Sequence, residues 1–264
     1  MTTEEYVSDD EYPTYFSKLE GLRARVAAAL PVRPGMRILD VAAGYGYFAA
    51  EVAKREKAVE VVGIDVSRRD VDALRRNVRT LGLGGRVEAV TMDATQMAFP
   101  DATFDMAVNF LGLEDIHMTR GGDGVRKAFA EVARVLRAGG FFCFTAMPPE
   151  ESETRAQELE VATFSYLCNC TWLAARDYET MLEKEGFELL RKARYYTAKK
   201  LTAAQAAAEV HFACENVPEI YGVRAASFDE VWSKFGAEIE KHGLGHYSNV
   251  ALFVARKVGR EQVG

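Results

Sequence analysis

The segment that most constrains the fold is an apolar run followed at once by two closely spaced glycines. Residues 36–42 read MRILDVA, a run of the kind that is buried on both faces of a parallel sheet. Gly44 and Gly46 follow, and residues 47–57 have the apolar spacing of a helix. A strand, a glycine turn and a helix form the first half of a nucleotide-binding unit, in which glycine permits positive φ and close approach of a ligand.

Two classes of ligand fit such a turn. Residues 44–49 read GYGYFA and satisfy the dinucleotide pattern G-x-G-x-x-G/A, and Asp65 follows at the distance of a ribose-binding acid. Asp40 distinguishes the two classes, because a carboxylate beside the turn suits an ammonium or sulfonium group and is poorly placed beside a pyrophosphate. The alternative interpretation is that Asp40 only caps the turn.

Five segments in order resemble a known family. The spacing Asp-x-x-x-Gly-x-Gly at residues 40–46 resembles the first motif of the class I S-adenosylmethionine (AdoMet) dependent methyltransferases, of the small-molecule, UbiE-like type. Asp65 ends the second strand and Asp93 follows the third. Residues 99–105, FPDATFD, precede the fourth strand, and residues 134–140, RVLRAGG, precede the fifth. These motifs are specific for the cofactor and not for the acceptor.

The resemblance implies AdoMet as the cofactor and assigns a role to several strand-end residues. Asp65 would accept hydrogen bonds from both ribose hydroxyls, and Val66 would lie against the adenine face. Asp93 would take the adenine amino group, with a backbone N–H at Ala94 serving a ring nitrogen. Asp40 would lie near the methionine portion. The predicted cofactor-binding residues are Asp40, Ala42, Gly44, Gly46, Asp65, Val66, Asp93, Ala94 and Asn109.

The predicted fold class is α/β: a doubly wound, mostly parallel seven-stranded sheet with a C-terminal antiparallel strand pair and a helical lid. We expect a single methyltransferase domain over residues 1–264, with an N-terminal helical segment at 1–35 and a cofactor-binding core at 36–147. Residues 148–175 and 201–243 are predicted to be insertions that form the substrate lid.

Helical spacing also predicts several element bounds. It favours one N-terminal helix from residue 13 or 14 to residue 30, a helix over 125–136 and another over 150–167. Residues 121–124 read GGDG and predict a turn before the helix over 125–136.

Methyl transfer from a sulfonium requires alignment and exclusion of water, and it requires a base only where the acceptor loses a proton. His117, which follows the fourth predicted strand, is the candidate catalytic base. His211 and His246 are rivals, and a purely structural role is the alternative for each. Residues 109–112 read NFLG and differ from the Asn-Pro-Pro-Tyr motif of many enzymes that methylate DNA bases or glutamine. The predicted acceptor is therefore a small molecule.

Charge and hydropathy limit the partners. The net charge of −6 argues against nucleic acid as the main partner, since phosphate binding depends on surplus lysine and arginine. No apolar run approaches the ~20 residues of a membrane span, and the first residues are acidic, unlike a signal or transit peptide. We therefore expect a cytoplasmic protein that does not bind membranes.

The cysteines favour neither a disulfide framework nor a metal site. Cys168, Cys170 and Cys214 with His211 form a conceivable Cys3His set, but neither a C-x-x-C pair nor a histidine pair is present. Small buried thiols are the interpretation that the spacing favours, and no metal is predicted.

Three other functions fit part of the pattern. An NAD-dependent oxidoreductase would use the glycine turn but gives no role to Asp93. A methyltransferase acting on RNA or a protein side chain would share the cofactor, and a binding module would keep the fold without catalysis.

Overall fold

The computed structural model describes residues 4–258, and these divide into two compact units. We call them the sheet unit and the helical unit. The sheet unit consists of Arg23–Ala146, Arg176–Ala193 and the described chain from Leu252 onward. The helical unit consists of the described chain as far as Leu22, Met147–Ala175 and Arg194–Ala251. The predicted division into one domain with two lid insertions stays a prediction.

The strand predicted at 36–42 and the helix predicted at 47–57 are both present, and the predicted bounds that differ are given below. The helices are α1 Tyr12–Lys18, α2 Leu22–Ala28, α3 Tyr47–Arg55, α4 Arg68–Thr80, α5 Leu113–Val135, α6 Arg155–Leu167, α7 Ala175–Lys184, α8 Ala203–Tyr221 and α9 Phe228–His242. The strands are β1 Glu5–Tyr6, β2 Arg37–Val41, β3 Glu60–Asp65, β4 Val87–Thr91, β5 Phe104–Phe110, β6 Leu136–Ala146, β7 Phe187–Tyr196, β8 Lys199–Leu201, β9 Leu244–Gly245 and β10 Asn249–Lys257. No helix within residues 4–258 combines the length and apolarity that crossing a membrane requires.

The main sheet has seven strands in the order β4-β3-β2-β5-β6-β10-β7. The pairs β4/β3, β3/β2, β2/β5 and β5/β6 are parallel, and β10 and β7 form the closing antiparallel pair. The predicted fold class is therefore confirmed for the sheet. The chain moves outward from β2 to β4 and then returns to β5, so the strand order reverses between β2 and β5. Ligands of doubly wound folds bind at the carboxyl ends of the strands at such a switch point.

Aromatic side chains fill the core beside the closing strands. Phe144 of β6 stacks on Phe253 of β10 with ring centroids 4.8 Å apart, and Tyr178 of α7 lies 5.5 Å from Phe144. Phe129 of α5 meets Phe142 edge-on at 5.1 Å. These rings are all buried, so the packing fixes α5 and α7 against β6 and β10.

The helical unit contains a small sheet that the sequence analysis did not predict. Its strand order is β1-β8-β9, with β1 parallel to β8 and β9 antiparallel to it. The Tyr12 hydroxyl donates a 2.9 Å hydrogen bond to Glu209, and the Gln205 amide donates a 3.0 Å bond to the carbonyl of Val7. The N-terminal segment is thus attached to α8. Strands of two or three residues carry too little alternation to be predicted.

The predicted single N-terminal helix is wrong. Two helices, α1 and α2, are joined by a 3-10 turn at Leu19–Gly21. Leu19 has φ +40° and Gly21 has φ +71°, so the backbone leaves the helical region at both. Leu19 and Leu22 are completely buried. The helix is interrupted between α1 and α2 although the apolar spacing continues. The spacing of apolar residues indicates which face is buried, but it does not determine the backbone angles.

The turn predicted at 121–124 corresponds to a kink at Gly121, with φ 67° and ψ −176°, where two helical segments of α5 meet. One further helix bound differs from the prediction. α6 begins at Arg155 and not at residue 150, because Thr154 is the N-cap and its hydroxyl accepts a 3.3 Å hydrogen bond from the N–H of Gln157.

Candidate functional site

The two glycines of the turn after β2 serve different purposes. Gly44 and Gly46 have φ of +50° and +75°, which L side chains rarely adopt. A Cβ on Gly46 would collide with the Leu74 side chain of α4, so this glycine permits helix packing. At Gly44 an added Cβ would meet nothing within 4 Å, so open space lies beside it. Ala42, with φ +52°, bends the chain just before them.

Asp65 ties the glycine turn to the beginning of α4. One carboxylate oxygen accepts a 2.9 Å hydrogen bond from the N–H of Gly44, and the other accepts a 2.9 Å bond from the N–H of Ser67. Burial raises the pKa of Asp65, while these backbone hydrogen bonds act in the opposite direction. Each carboxylate oxygen keeps further lone-pair capacity, so the acid can also accept from a ligand hydroxyl.

Asp40 is the least satisfied acid of the site. It is 1% exposed, and neither carboxylate oxygen has a hydrogen-bond partner among the described residues. Burial, followed by the negative charge of Asp65, raises the pKa of Asp40 to about 8. A buried acid without a partner is costly unless something compensates it. A ligand that brings a positive charge to this position would do so, and the sulfonium and ammonium groups of AdoMet fit that requirement.

The residues predicted to hold adenine lie at the ends of β3 and β4. One oxygen of Asp93 accepts hydrogen bonds from the N–H and hydroxyl of Thr95, and the other pairs with Arg120 at 3.1 Å. Burial raises the pKa of Asp93, but these hydrogen bonds and the Arg120 charge outweigh it and hold the pKa below its usual range. Ala94 is buried, whereas Val66 is 50% exposed beside Asp65 and offers an apolar surface.

Asn109 connects the two strands between which the sheet order reverses. Its amide donates a 2.6 Å hydrogen bond to the carbonyl of Val41 and accepts one of 3.3 Å from the N–H of Gly112. A Cβ on Gly112 would lie 2.7 Å from that of Ala42. The turns after β2 and β5 therefore touch, and Gly112 is a site residue that the sequence analysis missed. The sequence signal for it is Asn-x-x-Gly at the end of a predicted strand, with the asparagine in the strand and the glycine in the turn.

His117 lies on α5 and is partly buried. Burial and then the charge of Arg126 lower its pKa, and the charge of Asp177 raises it less. The neutral imidazole that a general base requires is thus favoured at neutral pH. The catalytic role of His117 stays a prediction, as do the roles of the nine predicted cofactor-binding residues. Of its rivals, His211 is exposed and His246 is buried against Tyr15.

The cysteines do not assemble a metal site within residues 4–258. No group of three or more histidine, cysteine, aspartate or glutamate side chains in that range is arranged to hold a metal ion. None of the four cysteines is in a disulfide: Cys143 is buried, and Cys168, Cys170 and Cys214 are partly buried.

Two comparisons with known sequences agree with this geometry. Residues 38–140 match the model of the methyltransferase domain family. A 27-O-demethylrifamycin SV methyltransferase of Amycolatopsis mediterranei is 29% identical over 259 residues, which cover 94% of this chain and 87% of that protein. A demethylmenaquinone methyltransferase of Deinococcus radiodurans is 36% identical over 131 residues, or 49% of this chain. The match spans about half the length of that relative.

Solved structures share the fold. The crystal structure of the cyclase SpnF has a TM-score of 0.63 and 24% identity, and the alignment covers 98% of this chain and 89% of that one. At that identity the likeness concerns architecture alone. The sequence matches carry more, because residues 38–140 include the glycine turn and each of the three strand-end acids. Since the matching family model and these relatives are all methyltransferases, the resemblance to the class I AdoMet-dependent methyltransferases is confirmed.

Proposed function

We propose that this methyltransferase binds AdoMet along the carboxyl ends of β4, β3 and β2 and transfers its methyl group to a hydroxyl of a small organic acceptor. The observation that carries the proposal is the buried, unpartnered carboxyl of Asp40 beside a glycine turn that Asp65 fixes. The proposed hydroxyl acceptor is supported by the relative that aligns over most of the chain, a 27-O-demethylrifamycin SV methyltransferase.

Each predicted cofactor-binding residue has a proposed task. Asp65 accepts from the ribose hydroxyls, while Val66 covers one adenine face. Asp93 and the N–H of Ala94 read the adenine edge. The backbone of the turn, which contains Ala42, Gly44 and Gly46, leaves room for the chain of the ligand. Asn109 holds the neighbouring turn in place, and Asp40 compensates positive charge.

The bound cofactor supplies an activated methyl group on a sulfonium. The chain itself has to align the acceptor oxygen with that methyl group, keep water out and accept the hydroxyl proton. We assign the last task to His117, whose lowered pKa favours the neutral form. His117 is the only residue to which we assign a proton-transfer role.

The helical unit is proposed to select the acceptor. It contains all of 148–175 and 201–243, the two segments that exceed a minimal cofactor-binding core. Its helices α8 and α9 both begin with a complete capping box, so the unit has well-defined helix starts of its own. A separate unit of this kind can carry specificity while the sheet unit carries the shared chemistry.

Two further proposals concern partners and location. The net charge of −6 supports a small molecule and not a nucleic acid as the partner. None of Cys143, Cys168, Cys170 and Cys214 is in a disulfide, which supports a reducing compartment such as the cytoplasm as the location.

The experiment compares ligands by isothermal titration calorimetry and then tests transfer. S-adenosylhomocysteine should bind, and NADH should bind far more weakly. Asp65→Ala should weaken S-adenosylhomocysteine at least tenfold, or about 1.4 kcal/mol, whereas Asp72→Ala on the exposed face of α4 should not. Tritiated methyl from AdoMet should then appear on hydroxylated polyketides or quinols. Preferential binding of NADH, or unchanged affinity in Asp65→Ala, would refute the proposal.

A further inference from the structure

The last strand of the main sheet, β7, presents a long exposed edge. It stands at one end of the strand order, so among the described strands only β10 is its neighbour in the sheet. β7 is ten residues long, contains no proline, and is exposed throughout residues 188–192. An edge of this kind can pair with another chain through its outward N–H and C=O groups, and proteins usually shorten, interrupt or cover it. None of these protections is present along residues 188–192.

Two leucines lie in the middle of this exposed stretch. Leu189 is 36% exposed and Leu190 is 46% exposed. A single exposed leucine is ordinary, but two in succession on a long edge strand are a pattern that favours association. Successive side chains of a strand point to opposite faces of the sheet. A further strand alongside β7 would therefore reduce the exposure of both leucines, whereas a helix on one face would cover only one of them.

The charges of β7 are arranged symmetrically about Leu190. Glu188 lies two residues before it and Lys192 two residues after it, on the same face of the strand. When two copies of this strand pair antiparallel about Leu190, Leu190 lies opposite the partner's Leu190. Glu188 then lies opposite the partner's Lys192, and this ion pair occurs twice. Unlike charges and apolar side chains directly opposite each other stabilise a strand pair.

The neighbouring registers lack this complementarity. A pair centred on Arg191 would place two arginines opposite each other, and like charges in that position are destabilising. A pair centred on Leu189 would place Glu188 opposite a leucine and remove the ion pairs. The side chains therefore select a second copy of the same strand, in one register.

The contacts that these charges make within their own chain are compatible with the added pair. Glu188 pairs with Arg256 of β10 at 2.8 Å, and Lys192 with Glu179 of α7 at 3.6 Å. A carboxylate has two acceptor oxygens and an ammonium has three donors, so each group can serve a neighbour in its own chain and one in a second chain. All four residues belong to the sheet unit.

We propose that β7 is the interface of a homodimer, in which it pairs antiparallel with β7 of a second copy about Leu190. The same surface is used by both copies, so the contact is closed by a two-fold axis and stops at two chains. It joins the two main sheets edge to edge. A single strand pair buries less surface than a standard protein interface, so the dimer dissociates on dilution.

The test measures self-association of the full chain by sedimentation velocity, from about 1 µM to about 200 µM. Wild-type dimer should predominate at the highest concentration. Glu188→Lys and Lys192→Glu should each raise the dimer Kd at least tenfold, because each places like charges opposite each other. They change the net charge in opposite directions, so a general charge effect cannot cause both results. The double variant restores unlike pairs and should return the Kd to within threefold of wild type.

The matched control is Asp72→Lys, which makes the same charge change as Glu188→Lys at an exposed position of α4 and should leave the dimer Kd within threefold. Hydrogen exchange locates the interface: amides of residues 187–193 that point away from β10 should exchange more slowly at the dimeric than at the monomeric concentration. Should a variant fail to fold, this measurement on wild-type protein decides alone.

Four results would overturn the proposal. Wild-type protein could remain monomeric at the highest concentration, or its dimer could leave exchange in β7 unchanged. Both single variants could keep the wild-type Kd, which would place the interface elsewhere. The double variant could stay as weak as the single ones, which would exclude the pairing of Glu188 with the partner's Lys192.

Discussion

The side-chain amide of Asn109 donates a 2.6 Å hydrogen bond to the backbone carbonyl of Val41. The bond joins the end of β5 to the end of β2, where the strand order reverses. Asn109 has no exposed surface, and its oxygen accepts from the N–H of Gly112. The gap between the two turns of the site is therefore set by one buried amide.

Replacing this amide should destabilise the protein. Asn109→Ala leaves the buried carbonyl of Val41 without its donor, which costs about 1–3 kcal/mol in the free energy of unfolding. Urea denaturation measures this change. Asn216→Ala, which removes an exposed bond to the carbonyl of Phe212, should cost less than about 0.5 kcal/mol. Normal stability of Asn109→Ala combined with lost cofactor affinity would instead make Asn109 a direct cofactor contact.

Strand-end acids could be located from the sequence, but side-chain directions could not. Asp40, Asp65 and Asp93 lie at or just beyond the ends of apolar segments that predict strands, and parallel strands end at one edge of a sheet. Asn109 was found for the same reason, yet its bonds to Val41 and Gly112 depend on a rotamer that spacing does not reveal. The sequence therefore predicts which strand ends could contribute to the site, whereas the hydrogen bonds between those residues had to be read from the structure.

Contacts between distant segments were also beyond the sequence. Arg23 reads as one polar residue within an amphipathic helix, and only the fold brings it between Tyr47 and Phe110. The pairing of β1 with β8 joins segments almost 200 residues apart, and neither strand is long enough to have a period. The spacing of apolar residues within a helix or strand predicts which of its faces is buried. It does not predict which other segment packs against that face.

The buried Asp40 should make stability depend on pH. Its folded pKa of about 8 lies above the ordinary value of 3.8, so the folded state favours the neutral acid. The associated stability is complete below the unfolded pKa and is lost progressively as pH rises through the folded pKa. The side chain at position 40 cannot ionise in the Asp40→Asn variant. The melting temperature of this variant minus that of wild-type protein should therefore increase from pH 5 to pH 8.

The control for this measurement is Asp72→Asn on the exposed part of α4. Its melting temperature should change with pH in the same way as that of wild-type protein. A constant difference between Asp40→Asn and wild-type protein across this range would mean that Asp40 is already ionised when folded. In the presence of saturating AdoMet the divergence should shrink, because the positive ligand favours the charged carboxylate.

His117 should matter for turnover and not for cofactor affinity. If it accepts the proton of a hydroxyl acceptor, His117→Gln should lower kcat by about 10²–10⁴-fold and remove the acidic limb of the pH profile. The affinity for S-adenosylhomocysteine should stay within threefold. His211→Gln, at an exposed position of α8, is the control. An unchanged pH profile in His117→Gln would return His117 to a structural role.

The two glycines of the turn should respond differently to the same substitution. Both have positive φ, for which alanine costs about 1 kcal/mol or more. Gly46→Ala adds a collision with Leu74, so its destabilisation should exceed that of Gly44→Ala by about 1–3 kcal/mol. Gly44→Ala should resemble Gly82→Ala in stability, since Gly82 also has positive φ and nothing within 4 Å of an added Cβ. Of Gly44→Ala and Gly82→Ala, only Gly44→Ala should weaken the binding of S-adenosylhomocysteine, because we propose that the ligand occupies the open space beside Gly44. Equal affinities in Gly44→Ala and Gly82→Ala would show that this space is not used for binding.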